Sequence, residues 1–208
     1  MAAVLVPAVA SADTGLAEAG PLNLRLDPFP ESPPSPEPSW EIPVAHGLGM
    51  LTVTRAVEAV LWPEPFAETD LTIIGEHYVD AYSLPPRWDG QEGFFEWDGD
   101  PWVINAVGHA LMGSELYLRF RTCHHSPWAS LGAAMAGTLV WEYGFEASGV
   151  RPSALDLVYT PLSGIALGEL RYWVWQLASQ WSASGASGVV KALVDPFGEL
   201  ERGLGAYC

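Results

Sequence analysis

The residues best equipped for chemistry stand in pairs one helical turn apart, inside otherwise apolar stretches. Asn105 and His109 are four positions apart, as are Glu142 and Glu146, and Asp156 and Thr160. On a helix that spacing puts each pair on one face. Thr138 precedes Glu142 by one turn, Tyr117 follows His109 by two, and Glu169 closes the run 164–168 with Arg171 beside it. Burying a carboxylate is costly unless it is paired, hydrogen-bonded or metal-bound. If these helices pack together, their polar groups must therefore meet partners.

Two arrangements meet that demand. One is a hydrogen-bonded lock that joins His109 to a glutamate and Arg151 or Arg171 to an acid. The other is a metal or acid/base site. There His109 would be general base or ligand, Glu142 and Glu146 ligands or an acid/base pair, Asp156 would orient His109, and Glu169 would complete the set. Asn105, Tyr117 and Thr160 would then be binding groups. Helix bundles build di-metal sites from inward carboxylates and Glu-x-x-His pairs. The chain has no such pair, so the sequence leaves metal and cofactor open.

Other candidates are weaker. In Cys123-His124-His125 adjacent residues cannot all face one ion from a helix, so the tripeptide reads as a loop. Asp98-Gly99-Asp100 lacks the further oxygen ligands of a calcium loop and reads as a turn capping a helix at 102. No G-x-S-x-G, P-loop, H-E-x-x-H or G-x-G-x-x-G motif occurs.

The elements that must position these residues read as helices. Apolar periodicity predicts 47–61, with Leu48, Leu51, Val57, Val60 and Leu61, and 70–82, capped by Asp70 and stopped at Pro85-Pro86. Helices over 102–121 and 127–147 follow Asp100-Pro101 and Ser126-Pro127, each with proline in the first turn. A helix over 153–181 starts at Ser153 as N-cap, with Pro161 expected to kink or break it. A short turn of helix is expected at 189–194. The segment 127–147, with Gly132, Ala133, Ala136 and Gly137, is the best candidate for a membrane span. Its Glu142 and Glu146 make a buried core helix the simpler reading.

Composition narrows the partners. The chain has 208 residues, 25 acids against 9 bases, and a net charge of -16. That excludes nucleic acid as a partner and excludes electrostatic adhesion to anionic lipid. Residues 13–100 hold seventeen acids and three bases, so the acidity is concentrated ahead of the polar pairs. Residues 1–12, MAAVLVPAVASA, form a short apolar run ending in Ala-Ser-Ala. They are expected to be a secretory signal with a truncated start. The proline- and glutamate-rich stretch 13–43 is expected to be a disordered linker, and the Ser/Gly/Ala run 182–188 a second flexible one. Two cysteines, Cys123 and Cys208, are too few for a disulfide scaffold. Export would permit them to pair.

Three ordered motifs carry a family resemblance. They are Phe95-Glu96-Trp97-Asp98-Gly99-Asp100 with Asn105-x-x-x-His109, Gly113-Ser114 and Tyr117; Trp141-Glu142-Tyr143-x-x-Glu146; and Pro152-Ser153-x-x-Asp156-Leu157-x-x-Thr160-Pro161 with Gly164 and Gly168-Glu169. Over residues 62–181 they resemble a bacterial family known as domain of unknown function 3943. The resemblance implies an exported protein of the Gram-negative envelope and brings no activity with it. Two positions depart from the family pattern: Ala110 follows His109 where the family has proline, and the basic residues after Tyr117 stand at Arg119 and Arg121.

The expectation is therefore an all-α, compact bundle of about five helices with a proline kink in the last. It occupies 44–181, after a signal at 1–12 and a linker at 13–43, with a flexible linker and short C-terminal segment over 182–208. The leading reading is a periplasmic or membrane-apposed envelope protein with a structural or interaction role, its packing locked by the His/Glu/Asp cluster. Its partner would be envelope lipid or another envelope protein. The alternatives are an envelope hydrolase of a lipid or cell-wall substrate using the same cluster, and a lipid or small-ligand binder.

Overall fold

The computed structural model describes residues 37–181, 185–206 and 208. The expected signal at 1–12 and most of the expected linker lie outside them. The described residues are all-α and contain no strand. They form eight α-helices rather than about five: α1 (Glu41–Leu61), α2 (Pro63–Phe66), α3 (Leu71–Ser83), α4 (His109–Thr122), α5 (Pro127–Val140), α6 (Ala154–Ser179), α7 (Gly185–Val194) and α8 (Pro196–Gly203). A π-turn, Ile104–Gly108, leads into α4. A second, Trp141–Phe145, and a 3-10 turn, Glu146–Ser148, end the α5 segment.

The helix starts follow local chemistry. Asp70 accepts from the Thr72 amide, Ser126 from Ala129 and Ser153 from Asp156, as the sequence predicts. The extra helices have physical reasons too. Helix α1 begins at Glu41, inside the stretch expected as linker, because Pro43 falls in the first turn, where proline costs no hydrogen bond. Helices α7 and α8 occupy the expected flexible tail. Asp195 caps α8 by accepting from Gly198, and Pro196 follows in the first turn. Pro161 does not end α6, which runs through it to Ser179. There the proline is buried, next to Thr160, whose carbonyl lies against Gly113 of α4.

Helix α4 is the central element. Every residue from Met112 to Phe120 is buried. A helix buried all round needs no apolar stripe, which is why its polar residues Ser114, Glu115 and Arg119 lie inside with Leu116 and Leu118. Its most extensive partner is α6. The two backbones touch. A Cβ on Gly113 would overlap the Thr160 carbonyl oxygen, and one on Gly164 would stand 2.8 Å from the Gly113 oxygen. On Gly168 a Cβ would meet the Tyr117 ring. The apolar core beside this seam is small, formed by Leu51, Met112, Leu116, Tyr117, Ala134 and Trp141.

The outer helices differ from their expected faces. Of the five apolar residues predicted for the buried face of α1, Leu51 alone is buried, while Leu48, Val57, Val60 and Leu61 are exposed. The expected membrane candidate 127–147 is divided by the π-turn, leaving α5 at 14 residues, short of a span. Among the described residues, the helix long and apolar enough to cross a membrane is α1.

Gly113→Ala is expected to lower stability by roughly 1–3 kcal/mol, because the methyl group must displace a carbonyl oxygen. Gly132→Ala, on an exposed position of α5 with open space around it, is expected to be neutral or stabilising by up to about 1 kcal/mol. Urea unfolding midpoints of the two variants test the seam.

Candidate functional site

Three chain segments converge beside the α4–α6 crossing. The loop 84–100 is held by two backbone bonds, from Arg87 N to Pro152 O at 2.6 Å and from Ala154 N to Arg87 O at 3.0 Å. This brings Asp98 against Ser153, which caps α6. Asp98 Oδ2 accepts from Ser153 Oγ at 2.5 Å, while its Oδ1 accepts from Asn105 Nδ2 at 2.7 Å and Asp100 N at 3.0 Å. Asn105 Nδ2 also donates to Phe95 O at 2.8 Å. Asp98 thus joins the loop, the first π-turn and the start of α6. The sequence reading assigned it only to a turn, because nothing local distinguishes a capping aspartate from a buried hub.

The predicted pairs assemble around it. Glu142 lies in the second π-turn and its Oε2 accepts from Ser153 N at 2.7 Å. Asp156 stands in the first turn of α6 and Thr160 one turn on. His109 Nδ1 is 3.0 Å from Thr160 Oγ1 and 3.5 Å from Asp156 Oδ1. One donor atom each of His109, Glu142 and Asp156 lies within 4.8 Å of the other two. Glu146 is buried next to Glu142. Asp156 thus lies near His109, whose hydrogen-bond partner is Thr160 rather than Asp156. Asn105, Glu142 and Thr160 have no exposed surface, and Asp156 is 1% exposed.

Burial governs the protonation of this cluster. It pushes the His109 imidazole down to about 4, against the pull of the Asp98 charge, so His109 is neutral. Burial and the Glu142 charge push Asp156 up to about 9. Burial also raises Glu142, and together with the Glu142 charge it raises Glu146. Burial and Asp98 raise Asp100 to about 6. Asp98 alone is lowered: burial works against its charge, and the hydrogen bonds from Ser153, Asn105 and the Asp100 amide prevail. Glu142 Oε1 and Asp156 Oδ1 are buried and accept from no N–H or hydroxyl. The carboxyl protons within reach run from Glu146 to Glu142 and from Asp156 to Asp98, the latter bond lowering Asp98 and raising Asp156.

Two predicted residues lie elsewhere. Glu169 is thirteen residues beyond Asp156 on α6, about 20 Å along the axis. It accepts from Tyr117 Oη at 2.7 Å and from Arg121 Nε at 2.9 Å, and its side chain is 43% exposed. Tyr117 and Glu169 therefore close the far end of the α4–α6 seam rather than completing the cluster. Arg171 does pair with an acid, but with Glu115, and Arg151 makes no ion pair among the described residues.

A second buried network passed unread in the sequence. Glu115 binds Arg171 Nη2 at 2.5 Å and Arg119 Nη2 at 3.0 Å, and its Oε1 is 3.4 Å from His46 Nε2. Asp195 binds Arg119 at 2.8 Å and Arg202 at 2.6 Å. His46 Nδ1 lies 2.5 Å from Glu201. These bonds tie α1, α4, α6 and α8 together. The i, i+4 spacing of Glu115 and Arg119 was visible, but their burial was not. Cys123 and Cys208 form a disulfide at the same end of the molecule. His125, in the loop after Cys123, is buried with Nε2 2.7 Å from Ser39 O.

Residues 94–197 match the family model described as Domain of unknown function (DUF3943). The match begins later than the expected 62 and runs on to Phe197. It contains the whole Asp98 cluster, the Glu169 cluster and Asp195, and leaves α1–α3 outside. The chain matches no curated protein and no solved structure.

Asp98→Ala removes the acceptor of three donors at once and is expected to cost about 3–5 kcal/mol, read as a fall in Tm without a change in helicity of the folded state. The second network sets a pH window. Burial works against the Glu115 charge, but the His46 hydrogen bond and the Arg171 and Arg119 charges hold its carboxyl down to about 2 from 4.5. Its contribution, roughly 3 kcal/mol, is complete above pH 4.5 and is lost as pH falls toward 2. His46 is raised above 6.5, since bonds to Glu115 and Glu201 outweigh burial, so its contribution is complete below that pH and fades above. Glu115→Gln is expected to flatten the acid limb of a Tm-against-pH curve.

Proposed function

The chain belongs to the DUF3943 family, a domain of unknown function, and from that premise we propose that it is a structural module of the cell envelope that applies an apolar surface to a lipid bilayer. The buried polar cluster is then the lock that holds the module's helices in register. The observation that carries this reading is the distribution of polarity. Carboxylates, a histidine and an asparagine fill the interior, while large apolar side chains face outward on the same helices. Trp102, Val107 and Leu111 are exposed on the segment that buries Asn105 and His109. Val158 and Leu162 are exposed on the segment of α6 that buries Asp156 and Thr160. Outward apolar surface on this scale is expected where lipid or a partner covers it.

Helix α1 exposes Val53, Val57, Val60 and Leu61 toward one side of its second half, and Val44 and Leu48 on a different side near its start. It stays with the rest of the fold through polar ties. His46 reaches Glu115 and Glu201, and Arg55 donates to Phe145 O, Phe66 O and Ser148 Oγ. Those ties favour a helix lying on the membrane surface over one that leaves the domain to cross it. The Cys123–Cys208 disulfide supports an oxidising, exported location. A lock is preferred to a catalytic centre because the cluster is closed: a substrate would have to reach groups with no exposed surface.

Flotation on a density gradient with phosphatidylcholine vesicles tests the reading. The chain is expected to float, independently of salt, since its charge gives no attraction to phosphate headgroups. Val57→Asp/Val60→Asp is expected to leave folding unchanged and abolish flotation. A wild-type chain that stays in the bottom fraction as a monomer would refute it.

A further inference from the structure

We propose that His109, Glu142 and Asp156 bind a first-row divalent cation of the zinc, manganese or iron(II) class, one nitrogen and two carboxylate oxygens forming the core of its coordination. The inference rests on reading the cluster as a lock and names what completes it.

Three observations point to a cation. The first is convergence. The donors come from three separate segments, namely the start of α4, the π-turn after α5 and the first turn of α6, and one atom of each lies within 4.8 Å of the others. Ligand atoms around such an ion, bound at about 2.0–2.2 Å, stand about 3–4 Å apart. A small inward movement of side chains is enough.

The second is the pair of oxygens without donors. Glu142 Oε1 and Asp156 Oδ1 belong to side chains with essentially no exposed surface, and no N–H or hydroxyl serves them. The other oxygen of Glu142 is served by the Ser153 amide, and Asp98, the neighbour of Asp156, takes the three other donors of the cluster. Both oxygens belong to the side chains that gather with His109, where a cation would serve them together.

The third is charge. Asp98, Glu142, Glu146 and Asp156 are all buried, and among the described residues they form no ion pair with a lysine or arginine. The arginine that acts on this group, Arg87, faces Asp100 at its edge. Buried acids in that number need protons or a cation. Metal ions bind the deprotonated ligand and displace protons, so the two occupants compete for one place.

The donor set selects the ion. Calcium and magnesium favour all-oxygen shells. An imidazole with carboxylates suits zinc, manganese or iron(II). The carboxyl of Glu146, next to Glu142, is available for a further position, whereas both Asp98 oxygens already accept hydrogen bonds. A closed shell of protein ligands is the mark of a structural metal site.

The full chain, stripped with EDTA, is titrated separately with Zn2+ and Mn2+, desalted and assayed by elemental mass spectrometry, with Tm recorded on the same samples. One equivalent of one of these metals is expected to remain bound, with Tm raised by roughly 5 °C or more over the stripped chain. Glu142→Gln and Asp156→Asn keep the shape and neutralise one ligand each. They are expected to fold and to retain less than about a tenth of an equivalent, with a Tm that metal no longer moves. A wild-type chain that retains no metal overturns the proposal, as does equal retention by wild type and both variants, which would place the ion elsewhere. The lock itself is tested apart from metal. If Asp98→Ala leaves the Tm of the stripped chain unchanged, the lock reading fails; if it lowers Tm while wild type binds no metal, the lock stands with protons as its occupants.

Discussion

Backbone contact between Gly113 and the Thr160–Gly164 turn is the constraint from which the rest of the structure follows. Without side chains at 113 and 164, α4 and α6 approach until carbonyl oxygens meet alpha carbons. At that separation His109, one turn before Gly113, must lie beside Thr160, and Asp156 one turn earlier must face His109. A wider crossing would leave room for apolar side chains at the seam and would separate these polar groups. The close approach and the polar interior therefore belong together: backbones in contact leave little apolar area to bury, so directional bonds hold the helices instead.

Those bonds are distributed over two clusters at opposite ends of α4. At its start the Asp98 hub gathers the loop, the first π-turn and α6. Toward its end Glu115 and Arg119 gather α1, α6 and α8. The two clusters differ in charge balance. The Glu115 group has two arginines and a histidine, so its carboxylate is ionised at all ordinary pH values. The Asp98 group has a neutral histidine and no cation at its centre, so its acids share protons or hold a metal ion. That asymmetry separates a network neutralised by its own cations from an acidic one without them.

The exterior is the complement of this interior. Polar groups drawn inward leave apolar side chains of α1, α4, α5 and α6 facing out, and the acidic residues do not cover them. The protein thus buries less apolar surface than its composition allows. The envelope reading follows from that surplus together with the disulfide, whereas the family itself contributes no activity.

Local chemistry settled what the sequence by itself could determine: helices throughout, their starts at Asp70, Ser126 and Ser153, the pairing of residues on helix faces, and the family. These depend on contacts within a few residues, which any reading of spacing and capping recovers. The helices not expected, α2 and α8, are short and open on Pro63 and Pro196, while proline and small residues hid the early start of α1 at Glu41 and the full length of α7. Membership of the cluster was decided by tertiary structure alone. Glu169 and Glu142 look equivalent in sequence, yet 20 Å of helix separates Glu169 from Asp156. Asp98 looks like a turn residue, yet donors from two other segments join the Asp100 amide on it. Which carboxylate is paired, protonated or left facing a histidine depends on how closely two backbones cross, and no local pattern carries that distance.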